Sequence, residues 1–248
     1  MIQDEAVDFL KSLVGIPSLS GDERAAVSLL VNKMIELGLS AHTDDAGNAV
    51  GIREEPAEDG SISSEIVLLG HIDTVPGDVP VRIEDGKLYG RGAVDAKGPL
   101  VTFLFATANA ELQPGTRLVV IGAVEEESAT SKGARFAARC FQPDYCIIGE
   151  PSGWDGLTLG YKGRLLIDYH LRQSMGHTAG PQTGVAEQAV AWWNELLAYV
   201  GRYNEGRKGL FYQILPSLRE IHTDSDGMQN EVRAKIGLRL PPEFDLDS

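Results

Sequence analysis

Three short apolar runs in the first 150 residues each end on side chains that bind cations, and this feature constrains the fold most. IVLLG leads into His71 and Asp73, LVVIGAV into Glu125, Glu126 and Glu127, and YCIIG into Glu150. Runs of this length and composition read as buried strands. A charged group directly after such a strand is costly unless it is paired or metal-bound. In a parallel α/β sheet the carboxyl ends of the strands lie along one edge, where ligands bind. The three runs are therefore expected to deliver one imidazole and several carboxylates to one crevice. Asp95, in the glycine-rich loop GRGAVDAKG ahead of a helix, is a fourth candidate.

The remaining pattern supports an α/β layer with a largely parallel sheet flanked by helices. Helical periodicity covers residues 4–14 and 22–38, and Ser20 with Glu23 three residues later reads as a capping box opening the second helix. Turn signals at 45–48 follow short strand-like runs, and Asp85-Gly86 between VRI and KLY predicts a hairpin. A helix is expected over 98–112, a strand over 117–124, a helix over 132–140 and a strand over 145–149. The grammar changes near residue 156. An alternating run from 157 to 171, a long helix over 185–203 and two further strands near 211–221 and 231–240 suggest a smaller α+β domain. The expected domains are 1–156 and 157–248.

Charge divides at the same place. Residues 1–156 carry 12 basic and 25 acidic side chains, a net of −13, whereas 157–248 carry 10 and 11, a net of −1. Such an acidic chain is a poor match for nucleic acid, which needs a basic surface. The start MIQDEAVDFL has no signal-peptide pattern, and no run approaches the roughly 20 apolar residues that span a bilayer. Cys140 and Cys146 are too far apart for a C-x-x-C motif and read as reduced structural residues, so the expected compartment is the cytoplasm.

Singly, the candidate ligands have ordinary explanations. An H-x-D triplet is common, a triple Glu is usually a solvated face, GEPS is a turn, and Asp95 suits a helix cap. Their conjunction in this order is more specific. One histidine with several carboxylates and no thiolate suits zinc, cobalt or manganese in an open catalytic site better than a closed structural one. A carboxylate can bridge two cations roughly 3.5–4 Å apart, a recurring hydrolytic device, and a neighbouring carboxylate must then take the proton. The Glu125–Glu127 run can supply both roles.

The blocks GHIDTVPG, GRGAVDAKGPL, VEEES and IGEPS resemble, in order, those of the co-catalytic zinc aminoacylases, desuccinylases, deacetylases and carboxypeptidases. Within that family the phrases PVRIEDGKLYGRGAVDAKGPL and GAVEEESATSKGA are most similar to hydrolases acting on LysW-linked lysine or ornithine. The resemblance implies that His71, Asp95 and Glu150 hold one divalent cation and that Asp95 and Glu127 share a second. Glu126 would be the general base, and Asp73 would orient His71. GHTAGP and NEVRAKIGLRLPP resemble the family's lid or dimerisation domain, implying a homodimer. There His177 would stabilise the oxyanion in a neighbouring subunit's site, and Asn230 and Arg239 would hold substrate.

The implied reaction is amide hydrolysis releasing lysine or ornithine from a small acyl compound or from the acidic carrier protein LysW. Dipeptidase, carboxypeptidase and simple deacetylase are alternatives on the same scaffold, and a non-catalytic metal- or partner-binding protein is the alternative of another class. The family completes its second metal site with a histidine from a C-terminal return segment. None of His42, His170, His177 and His222 stands in that context before the sequence ends at Ser248. The 248 residues are thus expected to be a fragment or a truncated form, without turnover as they stand.

Overall fold

A computed structural model describes residues 2–153, 155–158, 160–175 and 182–245. The chain divides into two compact units, Met1–Asp155 and Gly156–Ser248.

The first unit contains α1 (Ile2–Val14), α2 (Arg24–Glu36), β1 (Ser40–Thr43), β2 (Ala49–Glu55) and β3 (Ser64–His71). It continues through β4 (Arg82–Glu84), β5 (Lys87–Tyr89), α3 (Lys97–Asn109), β6 (Thr116–Ala123), α4 (Lys132–Cys140) and β7 (Tyr145–Ile148). Five strands form one sheet in the order β1-β2-β6-β3-β7. β6, β3 and β7 run parallel, whereas β2 is antiparallel to both β6 and β1. The sheet is therefore mixed, and its parallel part is confined to the three strands that end in candidate ligands. Alternate residues of β6 face two cores. Val120 packs with Leu13, Leu30, Met34, Leu100 and Leu104 of the three larger helices, while Val119 and Ile121 pack with Val50, Val67 and Ala137 on the α4 face.

Two glycines let α3 approach the sheet. Gly70 and Gly122 are register partners, and Leu100 lies on both. A Cβ at Gly122 would meet Leu30 Cδ2 at 2.8 Å and Leu100 Cδ2 at 3.2 Å. This close packing fixes the height of the α3 N-terminus, and with it Asp95. The predicted hairpin is present, with Asp85 at φ 49° and Gly86 at φ 72°, as a two-residue turn requires. Both cysteines are free, but they are exposed rather than packed as structural residues: Cys140 ends α4, and Cys146 lies on β7, an edge strand of the sheet.

The second unit contains β8 (Gly163–Ser174), α5 (Val185–Asn204), a short 3-10 turn at Leu210–Tyr212, β9 (Leu215–Ser225) and β10 (Gln229–Leu240). Its antiparallel sheet has the order β8-β10-β9. Alternation along β10 buries Val232, Ala234, Ile236, Leu238 and Leu240. Trp192, Trp193 and Val200 of α5 belong to the same apolar cluster as Ala234, Ile236 and Leu238, so one face of the sheet is covered.

Candidate metal centre

Strand register builds the site. His71 ends β3 opposite Ala123, the last residue of β6, and Ile148 at the end of β7 pairs with Leu69. The segments Val124–Glu127 and Gly149–Glu150 therefore emerge on either side of His71. Asp95 arrives from the loop before α3, where the Asp95–Ala96 peptide is cis and Ala96 is the helix N-cap.

His71 is only 2% exposed. Its Nδ1 lies 3.0 Å from the backbone carbonyl of Asp73, which assigns the proton of the neutral ring to Nδ1 and leaves the Nε2 lone pair free. Nε2 faces carboxylates: Asp95 Oδ1 at 3.0 Å, Glu150 Oε1 at 3.9 Å and Glu126 Oε2 at 4.0 Å. Donor atoms of His71, Asp95 and Glu127 lie within 4.8 Å of one another, and so do those of His71, Glu126 and Glu150. Ligands of one zinc ion, each at about 2.0–2.2 Å, stand at most about 4.4 Å apart. Both groups are at that scale.

The electrostatics also fit a cation. Burial raises the pKa of Glu127, and the charges of Asp95 and Glu126 raise it further. Glu150 is raised by burial and by Glu126, Asp95 and Glu127, against the opposing effect of His71. Burial works against a charge on His71, yet hydrogen bonds to Asp73 and Asp95 and the charge of Glu150 lift its pKa to about 9. A divalent ion would displace that proton and relieve the crowding of like charge. The residues present thus fit a bound divalent cation at this edge.

Asp73 is fully buried and touches no candidate ligand atom directly except the His71 ring, at 3.4 Å from Nδ1. Its Oδ1 accepts the backbone N–H of Glu126 at 3.0 Å, and its Oδ2 accepts that of Glu127 at 2.9 Å. Ser20 Oγ donates to Oδ2 at 2.7 Å. Burial alone would raise the Asp73 pKa, but the His71, Ser20 and backbone bonds outweigh it and hold the carboxylate below its ordinary value. His71 Nδ1 thus meets both the main-chain carbonyl and the carboxylate of Asp73, and the same carboxylate anchors the two glutamates.

The expected capping box does not form. Ser20 turns away to Asp73, and the α2 N-cap is Glu23, which makes no side-chain cap bond. Glu23 Oε1 instead accepts the N–H groups of Gly21 at 2.8 Å and Glu125 at 3.1 Å. Buried acceptors at the far ends of long-range bonds outcompeted the local cap. Sequence reasoning also passed over Asn48, seen as a turn residue, although it is fully buried and accepts the Val124 N–H at 3.0 Å.

A cavity of about 280 Å³ opens beside Asp95 and Glu127, lined by Val75, Val79, Leu88, Tyr89, Arg91 and Val94. Asn230 and Arg239 both lie on β10, where Asn230 is opposite Gln173 and Arg239 is opposite Arg164. Nine residues of strand separate them by roughly 30 Å, so one small molecule cannot contact both in the same chain. Arg239, Arg164 and Lys162 form a basic cluster. Burial and the Arg239 charge lower the Lys162 pKa, and Lys162 Nζ donates to the Leu210 carbonyl at 2.7 Å. His177 lies outside the described residues. Of the described histidines, His71 alone belongs to a candidate cation group; His170 pairs with Glu231.

Fold and site define the class: a mixed α/β unit with a carboxylate-rich candidate metal centre at its strand ends. Residues 67–243 match Peptidase family M20/M25/M40, and the chain belongs to that family. It is 44% identical over 243 residues to a LysW-lysine hydrolase from Deinococcus radiodurans, covering 96% of this chain and 66% of that protein. It is 41% identical over 246 residues to a protein of Thermococcus kodakarensis proposed to be a LysW-lysine/LysW-ornithine hydrolase, covering 97% of this chain and 64% of that one. The chain thus spans just under two thirds of the length of these relatives. Among solved structures, a tripeptidase from Staphylococcus aureus shares the fold at a TM-score of 0.66 and 19% identity, over 96% of this chain and 66% of that one. No described helix is long and apolar enough to cross a membrane.

Proposed function

We propose that this chain supplies the metal-binding unit of an amide hydrolase that frees lysine or ornithine from an acyl group, in particular from the acidic carrier LysW. The observation that carries the proposal is the meeting of His71 Nε2 with Asp95, Glu126 and Glu150, and of Glu127 with Asp95, at one sheet edge. The name of the Deinococcus relative at 44% identity supports the choice of substrate. His71, Asp95 and Glu150 would hold one cation, with Asp95 and Glu127 shared by a second, and the thiolate-free donor set suits zinc or cobalt. When bound, such a pair polarises the scissile carbonyl and lowers the pKa of water at the site.

Glu126 takes the proton of the attacking water and returns it to the leaving amine as the C–N bond breaks, giving a carboxylate and a free amine. Its backbone N–H is tied to Asp73, so its side chain is held beside His71. The neighbouring cavity has an apolar side formed by Val75, Val79, Leu88 and Val94 beside Asp95 and Glu127, which suits the aliphatic part of an acyl-amino acid. His177 is assigned to the oxyanion across a homodimer formed through the second unit, and Arg239 with Arg164 and Lys162 to the carrier's acidic surface. Asn230 is assigned to small-substrate binding at the other end of β10. The reaction is placed in the cytoplasm, with both cysteines reduced.

The test supplies the full-length protein with zinc or cobalt and with acetyl-lysine, acetyl-ornithine and LysW-linked lysine, and measures free amino acid. Metal-dependent release, abolished by a chelator, is expected. Release that survives chelation, or cleavage of dipeptides alone, would overturn the reading.

A further inference from the structure

Four consecutive backbone N–H groups after β6 are each held by a side-chain oxygen. Val124 donates to Asn48 Oδ1 at 3.0 Å, Glu125 to Glu23 Oε1 at 3.1 Å, Glu126 to Asp73 Oδ1 at 3.0 Å and Glu127 to Asp73 Oδ2 at 2.9 Å. The acceptors come from three separate places: the β1–β2 turn, the residue before α2, and the loop after β3. We infer that Glu23 and Asn48 are positioning residues that set the places of Glu126 and Glu127. The inference rests on the assignment of those two glutamates to proton transfer and cation binding.

Backbone conformation shows why such support is required. Glu125 has φ 55°, a left-handed conformation that is unfavourable for a residue other than glycine and persists when its surroundings hold it. It is the residue at which the chain turns from β6 toward the site, and Glu23 grips its N–H. Asn48 secures the preceding residue from the other direction. Its Nδ2 donates to Asp44 Oδ2 at 2.8 Å and to the Gly133 carbonyl at 3.1 Å, so the amide is locked on both ends. Gly133 N–H in turn donates to the Val124 carbonyl at 3.1 Å, and a Cβ at Gly133 would fall 2.3 Å from Asn48 Oδ1. The whole turn is therefore clamped from α4, from the β1–β2 turn and from the start of α2.

Glu23 is 6% exposed, and among the described residues no lysine, arginine or histidine pairs with it. Burying a carboxylate without a counter-ion is unfavourable unless hydrogen bonds to the charged form compensate. A purely local cap would not need it, since a solvated Ser or Asp serves there. Its partner is the Glu125 N–H, more than 100 residues away in sequence.

Glu23→Ala removes the acceptor, whereas Glu23→Gln keeps an Oε1 in place while giving up the charge. In the metal-free chain, amide exchange should quicken at Glu125 to Glu127 in Glu23→Ala and much less in Glu23→Gln. Cobalt affinity should fall about 10–100-fold in the alanine variant, with an altered visible spectrum, and recover substantially in the glutamine variant. In turnover assays of the full-length protein kcat should fall more than KM changes. If Glu23→Ala does not fold, Glu23→Asp, one methylene too short, is compared with Glu23→Gln in the same way. Uniformly faster exchange across the first unit, with unaltered cobalt binding, would overturn the positioning role, as would equal losses in the Ala and Gln variants. Absence of turnover in the unaltered full-length protein would count against the proposed reaction, while exchange and cobalt binding would still decide this inference.

Discussion

Asp73→Asn is the perturbation whose consequences the structure defines most fully. The carboxylate is fully buried and accepts from Ser20 Oγ and from the Glu126 and Glu127 N–H groups, with its two oxygens divided between the two glutamates. An asparagine keeps the volume but replaces one oxygen with an NH2 group, so one of the two backbone N–H groups must face another donor. Ser20 can rotate its hydroxyl to accept, but a backbone N–H cannot. Losing a hydrogen bond to a charged group costs roughly 1.5–3 kcal/mol, and stranding a buried donor adds to it, giving about 2–4 kcal/mol in all. For a unit of this size that corresponds to a fall of roughly 5–15 °C in Tm.

The pH dependence follows from the direction of the shift. The folded pKa of Asp73 lies below its ordinary 3.8, so its stabilisation is present above that value and is lost as pH falls through the folded pKa. The gap between the two proteins should be constant near neutrality and narrow only below about pH 4. Denaturant unfolding at several pH values measures it, and calorimetric titration should show metal affinity reduced about 10–100-fold. A variant within about 0.5 kcal/mol of the unaltered protein at pH 7, with unchanged metal affinity, would refute the reasoning.

With the His71 pKa at about 9, cation binding near pH 7.5 should release about one proton, and apparent affinity should rise about tenfold per pH unit up to about 9; calorimetry in buffers of different ionisation enthalpy checks this. In the metal-free chain the same raised pKa contributes stability that is fully present below 6.5 and lost as the pH rises to about 9. In the full-length protein Glu126→Gln should retain metal while losing most turnover, and Glu127→Gln should reduce occupancy of the second cation; equal metal loss in both, measured by elemental analysis, would reverse the assigned roles. Reversing Lys162, Arg164 and Arg239 should slow release from the LysW-linked substrate more than from acetyl-lysine, with the difference shrinking at high salt.

Much of this centre was legible in the sequence because strand ends obey a simple rule. An apolar run long enough to be a strand specifies where it stops, and three parallel strands bring their ends to one edge whatever the helices do. His71, Glu126, Glu127 and Glu150 are gathered in this way. Asp95 was legible because a glycine-rich loop ahead of a helix can reach the same edge. Helix α4 at Lys132–Cys140 and the hairpin turn at Asp85-Gly86 were likewise fixed by local pattern.

What tertiary structure alone decided is the partner of each buried polar group. Ser20 and Glu23 have the spacing of a local cap, and nothing near them in the sequence distinguishes that use from another. Folding places Asp73 beside Ser20 and the Glu125 N–H beside Glu23, and buried donors and acceptors must be satisfied, so the long-range bonds win. Asn48 likewise looks like any turn residue until β2 pairs antiparallel with β6 and sets it against Val124. On β10 the extended strand holds Asn230 and Arg239 roughly 30 Å apart, a separation that their residue types do not convey. Residue type and spacing determine which chemistry a chain carries; the distance between side chains, and hence which groups act together, exists only after the sheet has set its register.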